Sequence, residues 1–405
     1  AQNASVLLDR IVRQGRAFGI HVILGSQTLG GAYTAARTTL GQMAVRIALQ
    51  CNEADAFLIM DEENPAPRLL SRPGEAIYND AAGHRTGNSP FQIVWLSDDA
   101  RDSYLQRVRR KADQRVPPCP GPLVFEGDAP ADIRENLALR DTLRTRPTSP
   151  PAIARTWLGA PNSIKEPTEV GFSRRSGDHL LVVGQRDDTL LALLGIALAS
   201  LSAQFPTGAA EFVVLDGSAP GAPDQAYLDS LRARIPHPLS IVRPGASGDA
   251  IRALGAAMRL GSEAGAAAPA PTRFLFVHRL QQFRDLRQDD DFGFASSDGP
   301  PPPAAVFKEL ISDGPPLGVH VLASCDTYTN VVRFLGRKGL TEFGYRVLFQ
   351  MSANDSASLI DNPAASRLGL HRALLYLDRE GHFEVFRPYA LPDPASLQPV
   401  DGSGS

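Results

Sequence analysis

Short apolar runs alternate with amphipathic stretches along most of this chain. The runs at 180–183, 212–215 and 274–277 carry no polar side chain, which is typical of parallel strands buried on both faces of a sheet. Between them, at 189–203 and 249–260, apolar residues recur with the spacing of a helix. Strands that alternate with helices predict an α/β fold, in which helices cover both faces of a parallel sheet.

The chain also resembles itself, because two segments about 300 residues apart carry the same pattern, and such a long repeat predicts two related modules in tandem. In each segment a helix ends at a glycine, and an apolar stretch with a histidine follows. We expect these two histidines to be neutral and packed in the core. The matching pairs are Gly19 and Gly318, His21 and His320, Arg46 and Arg346, Asp55 and Asp355, Asp61 and Asp361, and Tyr78 and Tyr376.

The length of the chain and the position of its prolines indicate how it is divided into domains. Its 405 residues suit two domains, and the proline-rich stretch PPCPGP at 117–122 marks a connector. We therefore predict part of one module at 1–116, a linker at 117–160, a complete module at 161–392 and a tail at 393–405. The partial module has too few strands to cover its own sheet, and the chain starts in mid-helix without a cap. We expect it to be the C-terminal piece of a longer protein.

Charge and cysteine content exclude several classes of protein. With 41 basic and 44 acidic residues the net charge is −3, which argues against a protein that coats nucleic acid over its whole surface but permits a local basic path. Three scattered cysteines do not form a disulfide framework, which fits a reducing cytoplasm. The longest apolar run, 189–203, is too short to cross a membrane, so we predict a buried helix there.

Ligands of open parallel sheets bind beyond the carboxyl ends of the strands, and three such ends can be read in the second module. Gly184 and Thr189 stand where a phosphate-binding loop would lie, but lysine is missing and Asp187 and Asp188 would repel a triphosphate. The third end carries Ser324-Cys325-Asp326.

The strand at 274–277 ends in His278 and Arg279, where an acidic pair would hold magnesium and orient water. Neither side chain can do so. We therefore predict that the second module is inactive as an ATPase.

The partial module carries two candidate site residues. Gln27 follows the apolar segment 21–24, which we predict to be a buried strand, and its amide could sense a γ-phosphate or position water; alternatively it satisfies backbone groups of its loop. Arg46 begins the next predicted strand and could reach the nucleotide site of a neighbouring subunit. A structural ion pair with Asp55 is an equally good interpretation of this arginine.

These residues resemble a known family. RAFGIHVILGSQT at 16–28, an arginine-led strand, an Asp-containing helix and PGEAIY are similar to the last third of FtsK/SpoIIIE-type motor domains. The match covers about 1–96, and 164–389 resembles the same P-loop NTPase (RecA-like) fold with its nucleotide motifs eroded. Arrays of one motor domain and degenerate copies also look like EccC-type secretion ATPases.

The resemblance implies a ring-forming ATPase that uses ATP and Mg²⁺ to pull a polymer, with Gln27 as a sensor and Arg46 as a candidate for action across the subunit interface. The favoured hypothesis is the C-terminal portion of a bacterial cytoplasmic translocase that moves duplex DNA. The alternative is an EccC-like protein-export ATPase whose degenerate module binds a peptide, in a pocket lined by Leu190, Leu191 and Leu194. A third interpretation makes that module a scaffold.

Overall fold

The computed structural model describes residues 2–28, 37–115, 129–145, 147–163, 165–263, 270–288 and 300–398. The chain forms two compact units, Ala1–Val124 and Phe125–Ser405. Each unit is considered by itself below. In the described ranges, no helix combines the length and the apolar composition that a membrane span requires.

The first unit contains four helices and three strands in its described part. The strands form one antiparallel sheet in the order β1-β2-β3. Its small core is built around Ala48, Met60 and Ile77. The elements are α1 (Gln2–Gln14), α2 (Arg37–Leu40), β1 (Arg46–Leu49), α3 (Glu53–Ile59), β2 (Glu75–Asn79), β3 (Asn88–Gln92) and α4 (Asp98–Asp113).

The buried strand predicted at 21–24 is not present in this unit. The segment is irregular, His21 is exposed, and Ile23 has 96% of its surface accessible. Burial of an apolar strand on both faces needs a sheet for the strand to join and helices packed on each face of that sheet. The described residues of the first unit supply only the antiparallel sheet, so the prediction of a packed His21 is wrong for this unit.

The second unit contains ten strands and seven helices in its described part. They alternate along most of the unit, as the sequence predicts. The elements are α5 (Leu137–Arg144), β4 (Ala154–Pro161), β5 (Thr168–Phe172), β6 (Leu180–Val183), α6 (Asp187–Ala203), β7 (Ala210–Asp216), α7 (Pro223–Arg232), β8 (Leu239–Val242), α8 (Ser247–Glu263), β9 (Thr272–His278), α9 (Pro303–Asp313), β10 (Val319–Cys325), α10 (Tyr328–Thr341), β11 (Tyr345–Leu348), α11 (Ala353–Ile360), β12 (Ala373–Leu377) and β13 (His382–Pro388).

All ten strands join one sheet in the order β5-β4-β13-β12-β11-β6-β10-β9-β7-β8. The six strands from β11 to β8 are parallel, and those from β12 to β5 add to them antiparallel. Two large apolar clusters lie in this unit, and the side chains of β6 alternate between them: Leu181 and Val183 join one, Leu180 and Val182 the other. The α/β fold predicted from the apolar runs is confirmed.

The polypeptide before β6 belongs to this sheet rather than to a linker. Helix α5 and all of strand β4 except its last residue fall within 117–160, although residues 116–128 lie outside the described ranges. Helix α5 packs on α6, and Leu397 from the predicted tail joins the same cluster. Every residue from Leu190 to Ala203 is therefore buried, which explains why α6 is apolar on all sides.

The internal repeat is visible in backbone hydrogen bonds. Gly19 and Gly318 both adopt left-handed conformations, with φ of 68° and 78°, directly after a 3-10 turn. The N–H of Ile20 donates to Gly15 O, and that of Val319 donates to Gly314 O, both at 2.9 Å. The pairing of Tyr78 with Tyr376 is off by one residue, because the strand partner of Arg346 is Tyr376 whereas that of Arg46 is Asn79.

Candidate functional site

The loop after β6 has lost the geometry of a phosphate-binding loop. Gly184 has a φ of 152°, and its N–H donates to Cys325 O at 3.0 Å, so this donor is not turned toward a ligand. A Cβ atom at Gly184 would lie 2.7 Å from Cβ of Phe349. The glycine is thus required by the close approach of Phe349, and Asp187 begins helix α6 three residues further on.

Arg279 reaches across the strand ends to this loop. Its backbone is left-handed, with φ 60° and ψ 64°, a conformation that costs a non-glycine residue about 1–3 kcal/mol. Its N–H donates to Ser324 Oγ at 2.9 Å, which anchors the turn to the neighbouring strand. Its guanidinium Nη2 lies 3.1 Å from Asp187 Oδ2 and 3.1 Å from Asp224 Oδ2. One cation thus connects two carboxylates at the carboxyl edge of the sheet.

Asp224, at the start of α7, connects this ion pair to His278. The nearby His278 side chain and the charge of Arg279 hold the pKa of Asp224 below its usual value, although burial opposes them. His278 Nε2 lies 3.6 Å from Asp224 Oδ2, which is too far for a good hydrogen bond. The His278 side chain is fully buried, and neither ring nitrogen has a hydrogen-bond partner among the described residues.

A cavity of about 360 Å³ opens beside Arg279, beyond the ends of β6 and β10. Its lining is mostly polar. Leu190 contributes an apolar wall, whereas Leu191 and Leu194 are buried in the core and do not line it. The apolar peptide pocket suggested by these three leucines is therefore absent from this cavity. The lining residues are Gly184, Gln185, Asp187, Leu190, Arg279, Gln281, Ser324, Cys325 and Asp326.

Two of the lining residues show how polar the cavity wall is. Asp326 accepts hydrogen bonds from Asn330 Nδ2 at 2.8 Å and from Thr327 Oγ1 at 3.2 Å. Burial raises the pKa of the Cys325 thiol to about 12, so the thiol is protonated and unreactive at neutral pH. The carboxylate of Asp326 is consequently the charged group at this end of β10.

Known structures share this arrangement of strands and helices. The cytoplasmic domain of the Thermomonospora curvata type VII secretion ATPase EccC superposes with a TM-score of 0.57 over 98% of this chain, at 15% identity. ATPases 2 and 3 of EccC from the same organism, in complex with a signal sequence peptide, give 0.53 over 95% of the chain, at 14% identity. The chain has the fold of the FtsK/SpoIIIE-type P-loop ATPases. It spans 48% and 65% of those two structures.

Sequence comparisons add nothing to this likeness. No protein-family model matches the chain, and no curated protein matches it either. At such low identity, the likeness establishes the fold alone.

The second unit does not fit ATP and Mg²⁺, the cofactors that this fold commonly binds. Asp187 places a carboxylate where a phosphate would lie, and the guanidinium that could neutralise phosphate is already paired with it. His278 and Arg279 replace the acidic pair that would hold magnesium. No group of three or more His, Cys, Asp or Glu side chains in the described ranges is arranged to hold a metal ion.

The structure brings only some of the predicted site residues together. Gly184, Asp187 and Arg279 line one cavity. Asp188 is exposed, and Thr189 lies beside a separate cleft with Arg186 and His371. Asp224 and Gln281 were missed. Asp224 joins the site through an ion pair with Arg279 that is distant in sequence, and Gln281, two residues after Arg279, belongs to no motif.

Arg46 and Arg346 occupy equivalent positions in the two units and bind backbone carbonyls. In both, Nε, Nη1 and Nη2 donate to the carbonyl groups of the same local structure. Arg46 Nη1 also donates to Met60 O at 2.7 Å. The equivalent acceptors are Met43 and Phe343, Ile59 and Leu359, and Leu40 and Leu340.

These bonds support a structural role for Arg46, but the role differs from the ion pair with Asp55 that the sequence suggests. Arg346 pairs with Asp378 at 3.0 Å, and Arg46 is affected by the charge of Asp61, while burial lowers its pKa. Asp55 instead accepts from Asn52 Nδ2 at 2.8 Å. Gln27 is exposed in an irregular segment, so its role as a sensor stays a prediction from the sequence.

Proposed function

We propose that this chain is the C-terminal portion of an FtsK/SpoIIIE-like translocation ATPase, in which the second unit no longer binds nucleotide and serves the motor as a protein-binding module. The observation that carries the loss of nucleotide binding is the ion pair of Arg279 with Asp187 and Asp224. A triphosphate would have to separate these charges and then lie beside two uncompensated carboxylates, which is unfavourable.

A protein substrate is supported by the breadth of the likeness to EccC. The structure of that secretion ATPase superposes on 98% of this chain, so both units have counterparts in it. A signal sequence peptide is bound in the second EccC structure. In this proposal the ATP and Mg²⁺ used by the motor bind in a part of the protein outside this chain, the protein forms a homo-oligomeric ring, and it works in the cytoplasm.

Duplex DNA, the substrate that the sequence analysis favoured, is distinguished from protein by a binding measurement. The titration of a fluorescently labelled duplex with the complete chain, followed by anisotropy at several salt concentrations, would report any DNA contact. We expect no saturable binding near physiological salt. Phosphate contacts give an affinity that falls steeply as salt is raised, so such a fall would support the DNA translocase instead.

Exposed basic residues on helix α10 allow a DNA contact to be tested by substitution. Arg337 and Lys338 are exposed basic residues on this helix. If duplex binds and the Arg337→Gln, Lys338→Gln double variant weakens it, the chain contacts DNA through this helix and the protein-substrate proposal fails. The Arg232→Gln, Arg367→Gln double variant removes two exposed positive charges outside α10 and controls for net charge.

A further inference from the structure

The cavity at the carboxyl edge of the second unit carries an excess of negative charge. Asp187 and Asp326 line it, and Asp224 lies directly behind Arg279. Against these three carboxylates stands the single guanidinium of Arg279, whose Nη2 is shared between Asp187 and Asp224. The net charge of these four side chains is thus −2, with His278 counted as neutral. A site built for triphosphate needs the opposite sign.

Asp326 is the carboxylate that lacks a counter-ion. Its hydrogen bonds come from Asn330, Thr327 and the Cys325 thiol, all of them neutral donors. No Lys, Arg or His side chain within the described ranges lies within ion-pair distance of it. A carboxylate in a partly enclosed site gains more from a cation than a fully solvated one does, because less water screens the interaction.

Gln281 lines the same cavity. Its Oε1 atom is buried and accepts no hydrogen bond from the described residues. A buried amide oxygen without a donor costs free energy, so a ligand that brings an N–H group would be favoured. Asp187, whose side chain is 60% exposed, supplies a further acceptor at the entrance.

We propose that this cavity binds a cationic nitrogen group, an ammonium or a guanidinium, through Asp326, Gln281 and Asp187. The inference rests on the proposed loss of nucleotide binding at this site and names what replaces the nucleotide. A volume of about 360 Å³ accommodates one long basic side chain. The group can come from a basic residue of a peptide or from a free polyamine, since both present the same chemistry.

Calorimetric titration of the complete chain with four probes distinguishes these sources. The probes are a short lysine-containing peptide, its Nε-acetylated form, spermidine and inorganic pyrophosphate. We expect the unmodified peptide to bind with a stoichiometry of one and the acetylated peptide to bind at least tenfold more weakly. Spermidine binding with no peptide binding would assign the site to a free polyamine.

Variants of opposite sign test the assignment to this cavity. Asp326→Asn and Asp187→Asn each remove one negative charge and should weaken cation binding about two- to fivefold, the range of a partly screened ion pair. Arg279→Gln removes the competing positive charge and should strengthen binding. Asp249→Asn alters an aspartate whose side chain is 86% exposed and that does not line the cavity, so it should leave the affinity unchanged.

Several results would overturn the inference. If none of the cavity variants alters cation binding, the binding site lies elsewhere and the inference is wrong. If no cation binds at low salt, the inference is also wrong. Circular dichroism spectra identify a variant that fails to fold, and the exposed Asp187 then replaces Asp326 as the test position. Pyrophosphate or ATP binding that Arg279→Gln abolishes would show an anion site, and in that case the proposed loss of nucleotide binding fails as well.

Discussion

Replacement of Arg346 should lower the free energy of unfolding of the second unit. It should not impair an activity at a subunit interface. The side chain is buried, with 6% of its surface exposed. Its three nitrogens donate to the carbonyls of Phe343, Leu359 and Leu340 at 3.1, 2.8 and 3.2 Å. It also pairs with Asp378 at 3.0 Å, so truncation breaks four interactions at once.

The size of the effect follows from the bonds that would be lost. A hydrogen bond from a charged donor contributes about 1.5–3 kcal/mol, and such losses within one network do not add. Removal of a buried charged group that binds several partners costs about 3–5 kcal/mol, which we expect for Arg346→Ala. For a unit of this size, that loss lowers the melting temperature by roughly 6–10 °C.

Tryptophan fluorescence during urea unfolding measures this loss. Trp157 is 4% exposed and packs in the second unit, whereas Trp95 of the first unit is 88% exposed and should respond little. Arg346→Lys should lose about half as much free energy of unfolding, because one ammonium cannot reach all three carbonyls. Arg367→Ala, at an exposed arginine, should stay within about 0.5 kcal/mol.

An unchanged urea midpoint in Arg346→Ala would refute this reasoning. It would favour the interpretation in which Arg46, and by the repeat Arg346, acts across a subunit interface.

Two further predictions concern the stability of the second unit. Burial lowers the pKa of His179 to about 3 and that of His320 to about 4. Between pH 6.5 and 4 the unfolded chain therefore binds more protons than the folded chain does. The free energy of unfolding should decrease as the pH is lowered through this range, by up to about 1.4 kcal/mol per pH unit for each histidine. Urea midpoints across this range should decline less steeply in His320→Phe, and an equal slope would contradict the assignment. Gly159→Ala would place Cβ 2.0 Å from Arg387 O and should lower the melting temperature by several degrees. Gly245 has open space around it, so Gly245→Ala should leave the melting temperature unchanged. Equal melting curves for the two variants would contradict the prediction and show that strand β4 adapts to the added methyl group.

The sequence was sufficient for the elements whose pattern is local. Strand β6 and residues 274–277 of β9 are uniformly apolar, and the turns at Gly19 and Gly318 can be predicted from the glycines themselves. The repeat predicted equivalent arginines, and three of their carbonyl contacts are equivalent, while Arg46 makes a fourth to Met60. The missing lysine and the presence of Asp187 predicted that the phosphate-binding loop is eroded.

What the sequence missed depends on distant contacts. Strand β4 pairs with β13 from more than two hundred residues away, and Gly159 within it weakens the strand signal. The segment 21–24 is apolar like β10, yet only the second unit places parallel strands on both sides of such a segment. The pairing of Asp187 with Arg279 joins two eroded motifs that the sequence shows separately.

The most direct test of the central claim is a calorimetric titration of the complete chain with ATP in the presence of Mg²⁺. We predict no saturable binding with a dissociation constant below about 1 mM, a limit that corresponds to roughly −4 kcal/mol. A micromolar dissociation constant that Arg279→Gln abolishes would locate nucleotide in the second unit, and it would contradict the conclusion that the ion pair with Asp187 has replaced it.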